Sequence, residues 1–406
     1  MAEQEAFIGA SDKSTPCRQT LAVYTGGQRY PEPERPQANP RVDFMNRFPL
    51  MPSCLSLGLL LQAVLVLGGS LLLSPGLSHA GSRVEMGLPL ADPAPTGQSG
   101  LQARILFTSN LLGEFEPCKC PDMPLGGLSQ LAARVDAVRG DAVPAFWLDS
   151  GDRLFRLDMA QLGTEEAERR LRAMLLVDAG SLSGLDAMGV GRLDLGAGLD
   201  YLKKLSLRAS YPLVSANLVD AHGAPLFVPS VLLVRDGRKL GVTSVVSLDV
   251  AGDGFSATSP YAAARREVRA LREQGAELVV VLSNLGDDGA KRLARASRAD
   301  AILSSRSRRL TPQGEWLGRT VVGEAGARGR YLGDLRWFGA GSGGGPHLIL
   351  TTLPVHAEAA TQEATSRLLE AALRRLADPT LGVPPIPPGG IEPPARVDLR
   401  PTLEGP

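Results

Sequence analysis

Arg104–Cys120 reads RILFTSNLLGEFEPCKC, and Leu148–Asp152 reads LDSGD. Each begins as an apolar run of strand length and stops on small or polar residues, so each is expected to be a buried strand feeding a loop. Working outward, strands are expected at Ala103–Thr108, Ala145–Asp149, Pro212–Ala216, Leu240–Ser247, Glu277–Leu282 and Ala299–Leu303. Amphipathic helices are expected between them at Leu128–Val138, Thr164–Leu176, Leu199–Leu207, Pro260–Gln274 and Gly289–Ser297. The Pro260 helix is the best delimited: Ser259 can cap it, Pro260 suits its first turn, and Gly275 can end it. This alternation predicts an α/β body. After Gly314 the texture turns strand-like, at Thr320–Glu324, Tyr331–Phe338 and His347–Leu353, with a flexible loop at Gly341–Pro346. These pieces are expected to form or extend a second sheet packed face to face with the first. Glu358–Leu376 is expected to be a helix docking through Leu368, Leu369, Ala372 and Leu376.

The chain has 406 residues, 44% hydrophobic and 21% charged, which fits a globular protein with a sizeable core. Lys plus Arg and Asp plus Glu number 43 each, so no basic excess attracts nucleic acid. Leu55–Leu73 is almost wholly apolar, and SPGLSHA follows at Ser74–Ala80. A small-residue ending after an apolar run reads as an export signal cleaved after Ala80, with a retained membrane anchor as the alternative. Met1–Phe44 is polar and Pro-rich, so translation from Met45 or Met51 is an alternative start, Arg47 then supplying the positive n-region in the first case. No lipobox cysteine follows the run, because Cys54 precedes it. The expected organisation is an extension at 1–44, an export segment at 45–80, a linker at 81–100, the folded domain at 101–355, a helix at 356–378 and a Pro-rich tail at 379–406. Export implies a periplasmic or extracellular location and an oxidising compartment, and leaves Cys118 and Cys120 as the cysteines of the mature chain. Their readings are a reducible disulfide, a soft-metal contact, or two structural thiols. No CxxC partner completes a zinc site.

Several segments in order resemble the exported 5′-nucleotidase and 2′,3′-cyclic phosphodiesterase branch of the calcineurin-like metallophosphoesterases. They are RILFTSNLLGEFEPCKC, Gly126-Gly-Leu128, Leu148–Asp152, YPLVSAN at Tyr211–Asn217, GRKLGV at Gly237–Val242, ELVVVLSNLG at Glu277–Gly286 and Tyr331-Leu-Gly-Asp334. The resemblance covers roughly Leu101–Val355 and implies a four-layer sandwich of two packed mixed sheets flanked by helices. It has no room for the C-terminal domain of the two-domain nucleotidases. In that family two cations, about 3.5–4 Å apart, activate water and clamp the leaving oxygen.

Carried over residue by residue, the ligand set is altered at nearly every motif. Asp152 stands at the retained bridging aspartate. Asn110 stands at the first metal-binding aspartate and Leu112 at the histidine after it. Gly191-Arg-Leu-Asp194 corresponds to the G-N-H-E segment, placing Arg192 at the metal-binding asparagine and Leu193 at the histidine that stabilises the leaving group. Asn284 replaces another histidine, and Arg306 and Arg308 replace the last two. An amide oxygen can still face a metal, so Asn110 and Asn284 remain weak ligand candidates. A guanidinium has no lone pair to offer and repels cations.

Two function readings follow. In the first, the chain lacks the two-metal hydrolase centre, needs no cofactor, and acts as a scaffold or a metal-free anion-binding module with Arg192, Arg306 and Arg308 on a phosphate or carboxylate. Its partners are then a small anion or phosphate ester, or another protein. In the second, it is a divergent phosphoesterase holding Mn, Fe or Zn with Asp152, Asn110, Asn284 and Asp149 or Asp194. His222, His347 and His356 lie outside the matched motifs and are expected at the surface. Gly341–Gly345 lacks the spacing and lysine of a phosphate loop.

Overall fold

The computed structural model describes residues 100–156, 165–340 and 346–378. The expected extension, export segment, most of the linker, the Gly341–Gly345 loop and the Pro-rich tail lie outside these. In chain order come β1 (Ala103–Thr108), α1 (Leu128–Arg139), β2 (Ala145–Asp149), α2 (Glu166–Leu182), β3 (Ala187–Gly189), α3 (Leu199–Arg208), β4 (Leu213–Val214) and β5 (Leu218–Asp220). Next are β6 (Ser230–Arg235), β7 (Arg238–Val246), β8 (Ala251–Gly252), β9 (Phe255–Ala257), α4 (Pro260–Glu273), β10 (Leu278–Asn284), α5 (Gly286–Ser297) and β11 (Ala301–Ser304). The last are β12 (Glu315–Leu317), β13 (Thr320–Gly323), β14 (Tyr331–Ala340), β15 (Pro346–Pro354) and α6 (Glu363–Ala377).

Two six-stranded mixed sheets carry the body, in the orders β15-β14-β1-β2-β3-β4 and β12-β13-β11-β10-β7-β6, and β5, β9 and β8 form a small third sheet. Strands β1 to β4 run parallel, and so do β7, β10, β11 and β13. The side-chain alternation of a strand explains how each sheet serves two cores. In β10, Leu278, Val280 and Leu282 enter the core between the sheets, while Val279 and Val281 enter the core under α4 and α5. In β1, Ile105 and Phe107 face the inter-sheet core, and Leu106 faces the core shared with α1, α2 and α6. The result is helix, sheet, sheet, helix: the four-layer α/β sandwich expected from the resemblance. Each fully buried large apolar side chain contributes about 1.5–3 kcal/mol, so the strand runs dominate the fold's stability.

Several elements differ from the sequence expectation for local reasons. Strand β7 begins at Arg238 because Asp236 and Gly237, at φ 48° and 77°, make a tight left-handed turn that pairs it with β6. Helix α2 continues to Leu182, past Gly180 and Ser181, which are buried against their neighbours. Helix α6 starts at Glu363 rather than Glu358, because His356 forms a bridge with Leu125 and Ala357 donates its N–H to the Pro124 carbonyl. Leu369 and Ala372 of α6 are buried, and Leu368 and Leu376 pack beside them, as expected. The strands after Gly314 divide: β12 and β13 join the second sheet, whereas β14 and β15 extend the first through β1. Among the described residues, no helix is long and apolar enough to cross a membrane.

Candidate functional site: a loop centre tied by side-chain to backbone hydrogen bonds

Asn110 follows β1, Asp152 follows β2, Arg192 follows β3, Asn284 ends β10 and Arg306 follows β11, so all five gather where parallel strands of both sheets end. Carboxyl ends of parallel strands are where α/β sheets place their binding crevices. The backbone there is unusual. Of eight non-glycine residues with left-handed φ among the described residues, five are Asn110 (52°), Leu112 (56°), Asp152 (56°), Arg306 (80°) and Arg308 (59°). Each such conformation is disfavoured for a side chain other than glycine and persists only where its surroundings hold it.

What holds it is a set of side-chain to backbone hydrogen bonds. Asn110 Oδ1 accepts the Arg306 N–H at 2.6 Å, while Asn110 Nδ2 donates to Glu324 at 2.8 Å and to the Gly326 carbonyl at 2.9 Å. Asp152 Oδ1 accepts the Leu193 N–H at 2.8 Å. Asn284 Oδ1 accepts the Arg192 N–H at 2.9 Å, and its Nδ2 donates to Ser305 Oγ at 2.8 Å. The Asn284 side chain also lies close enough to Asp152 to favour its charged form. Gly191 must be glycine for this approach, since a Cβ there would lie 2.4 Å from Asp152 Oδ1 and 3.0 Å from Asn284 Nδ2.

Beneath this ring lie two more buried carboxylates. Asp194 accepts backbone N–H groups from Asp152, Arg153, Leu154 and Gly191 at 2.7–3.0 Å. Burial, then the nearby Asp152, pushes the Asp194 carboxyl up to about 8 against the pull of those donors. Burial also raises Asp152, opposed by the Leu193 and Asn284 donors and by the Arg192 and Arg306 charges. Asp149 forms a fully buried ion pair with Arg153 at 3.0 Å and also binds Thr108 Oγ1 and the Gly151 N–H. A buried pair of this kind needs such extra hydrogen bonds to offset its desolvation.

The arginines are distributed unevenly. Arg306 forks onto Asp249, at 3.1 and 2.8 Å, and also reaches Ser247. Arg192 is half-buried, lies near enough to Asp152 to lower its pKa, and keeps a buried Nε with no hydrogen-bond partner in the protein. Arg308 is exposed, and its backbone N–H faces Glu324. Cys118 and Cys120 are disulfide-bonded and lie on the wall of a neighbouring cavity. Among the described residues, His222 and His347 are exposed, as expected, and His356 is half-buried; the His347 ring lies 5.3 Å from that of Phe338. Sequence reasoning missed Asp249 and Glu324, which complete the ring from distant segments. Glu324 was placed as the end of a strand, and no signal marked Asp249.

No protein-family model matches the chain. It is 30% identical over 224 residues to a 2′,3′-cyclic-nucleotide 2′-phosphodiesterase/3′-nucleotidase of Yersinia enterocolitica, covering 48% of this chain and 33% of that protein. Its fold matches the Thermus thermophilus sulfate thiohydrolase SoxB with a TM-score of 0.59 at 22% identity, over 68% of this chain and 61% of that one. It also matches the calcineurin-like phosphoesterase YfkN of Bacillus subtilis with a TM-score of 0.55 at 17% identity, over 68% of this chain and 97% of that one. The chain has the metallophosphoesterase fold, and part of its sequence is similar to cyclic-nucleotide phosphodiesterase/3′-nucleotidases. It spans about a third of the length of the curated relatives it matches.

The metallophosphoesterase superfamily ordinarily works with divalent metal, so the donors present can be tested against that group. Asn110, Asp152 and Asn284 each commit an oxygen to a backbone N–H. Asp149 and Asp194, the substitute ligands of the hydrolase reading, already face protein donors. Among the described residues no group of three or more His, Cys, Asp or Glu side chains is arranged to hold a metal ion. This donor set does not fit a two-cation centre.

Proposed function

We propose that this chain is an exported metallophosphoesterase-fold protein that binds a phosphate or carboxylate anion without metal and does not hydrolyse phosphate esters. Arg192 carries the reading. Its Nε is buried without a protein acceptor beside the ligand cradle, and a buried charged donor left unpaired costs more than an ordinary hydrogen bond contributes. An anion supplies the missing acceptor, bidentately if it presents two oxygens. Arg308 at the rim offers a second guanidinium, and Arg306 a third when it leaves Asp249. Burial raises Asp152 toward its neutral form, which lessens its repulsion of an incoming anion, so binding weakens as pH rises. The apolar run at Leu55–Leu73 and the small residues after it support export.

Titration calorimetry with inorganic phosphate, on protein treated with chelator, tests this. Binding is expected at one site per chain, weakened at least about tenfold by Arg192→Gln, the scale of one charged hydrogen bond. Absence of binding to the wild type overturns the anion site and leaves an interaction scaffold. The curated relatives' names favour the hydrolase alternative. Stoichiometric Mn, Fe or Zn removed by Asp152→Ala, together with cleavage of a phosphate ester, would establish it instead.

A further inference from the structure

Cys118 and Cys120 lie on the wall of a cavity of about 350 Å³ together with Glu114, Glu116, Lys119, Arg328 and Arg330; it adjoins the loop centre, since the Arg328 N–H donates to the Asn110 carbonyl at 2.8 Å. Their two sulfurs are held differently. Cys118 belongs to a clasp in which its N–H donates to the Leu125 carbonyl at 2.8 Å and Pro117 bridges Gly126. The Leu125 N–H points back at Cys118 Sγ at 3.3 Å. Cys120 lies outside the clasp, in the turn where Lys119, Pro121, Asp122 and Met123 are exposed. One sulfur is thus fixed and faced by a donor, and the other stands in a solvent-facing loop.

The cavity's charges also point to a ligand class. Glu114 is paired with Arg156, which leaves Lys119, Arg328 and Arg330 facing Glu116. Arg330 keeps a buried Nε with no hydrogen-bond partner. A cationic wall around a disulfide attracts an anion and stabilises any thiolate formed there.

We propose that Cys118–Cys120 is a redox-active disulfide that oxidises a small anionic thiol, a site independent of the anion-binding reading above. The incoming thiolate attacks Cys120 Sγ, the disulfide bond breaks, and its electron pair leaves on Cys118 Sγ, which the Leu125 N–H already faces. A second thiolate then attacks the external sulfur of the mixed disulfide, forming the small-molecule disulfide and releasing Cys120. Two thiols lose two electrons and two protons, and both end on Cys118 and Cys120. Low-pKa leaving thiols depart faster, so the donor at Cys118 sets the direction of attack.

The test follows reduction of the Cys118/Cys120 peptide in the full chain by acid quench, alkylation and mass spectrometry. The probes are 2-mercaptoethanesulfonate, which is anionic, and cysteamine, which is cationic and similar in size. For each probe, wild type is compared with Arg330→Gln and with Lys119→Gln, which lies on the exposed turn and leaves the core untouched. Each variant is expected to slow the anionic probe relative to the cationic one by roughly thirtyfold, because the probes differ by two unit charges and each is worth about 1 kcal/mol near contact distance in water. An unchanged ratio in both variants, or a peptide that resists both probes, overturns the proposal.

Discussion

Asp194 and Asp249 stand on two rims of the same loop centre and are treated in opposite ways. Asp194 is 1% exposed and collects four backbone N–H groups from two loops. The Asp249 side chain is 54% exposed and meets one guanidinium, that of Arg306. The inner carboxylate accepts the N–H groups of the left-handed turn at Asp152, whereas the outer one pairs with a partly exposed arginine at the surface. The difference separates what preserves the shape of this centre from what can change its contents. An inner ring of Asn110, Asp152, Asn284 and Asp194 ties loop to loop, while outside it Arg306 is paired with Asp249 and Arg308 is exposed.

The comparison breaks most severely at Asp194. Replacing it with alanine strands four buried donors and is expected to destabilise the protein by about 4 kcal/mol, read as a shift in the urea midpoint. A loss below about 1 kcal/mol would show that the inner ring does not hold the turn.

Asn110→Asp restores the side chain that the superfamily resemblance puts at this position, yet it is expected to cost about 2–3 kcal/mol at neutral pH. The change removes the donor to Glu324 and sets a second carboxylate beside it. Burial already raises the Glu324 pKa, and the new neighbour raises it further. The deficit should therefore shrink as pH falls below neutral, when one of the two takes a proton, and widen as pH rises. Denaturation of variant and wild type at several pH values checks the sign. A variant as stable as wild type at neutral pH would mean that Asn110 is a ligand position waiting for metal.

Asp249→Asn is expected to have the smallest effect, under about 1 kcal/mol, because the pair is solvent-screened. Its signature is elsewhere. Hydrogen bonds from Arg306 first, then Ser247, hold the Asp249 pKa well below the usual carboxylate range. The pair's contribution is complete above the ordinary value, near about 4, and is lost only as pH falls through the depressed one. The variant should therefore match wild type under strong acid and differ slightly above it. It should also bind phosphate more tightly, because Arg306 is released.

The strand cores were legible because each is a continuous apolar run with its own punctuation, as in Leu278–Asn284 or in Ser259-Pro260 before α4. The hairpin of β6 and β7 was missed although Asp236-Gly237 signals it, since Val231–Val234 had not been read as a strand. The ligand positions could be aligned by motif, but what their side chains touch could not. Asn110 meets Glu324 across 214 residues of sequence, and Arg306 meets Asp249 across 57. Contacts at such separations leave no local pattern, so a substitution that looks like loss of a ligand in the sequence is a loop-to-loop tie in the fold.

The central claim is that the inner ring holds this centre without a cation. The most direct measurement is the thermal midpoint of the full chain, purified without chelator, with its Mn, Fe and Zn content, then after EDTA, then with Mn added back. Any species that binds the folded state alone raises the midpoint by mass action. The account predicts substoichiometric metal and a midpoint unmoved by either addition. One or two metal ions per chain, with a midpoint that drops in EDTA and returns with Mn, would contradict it.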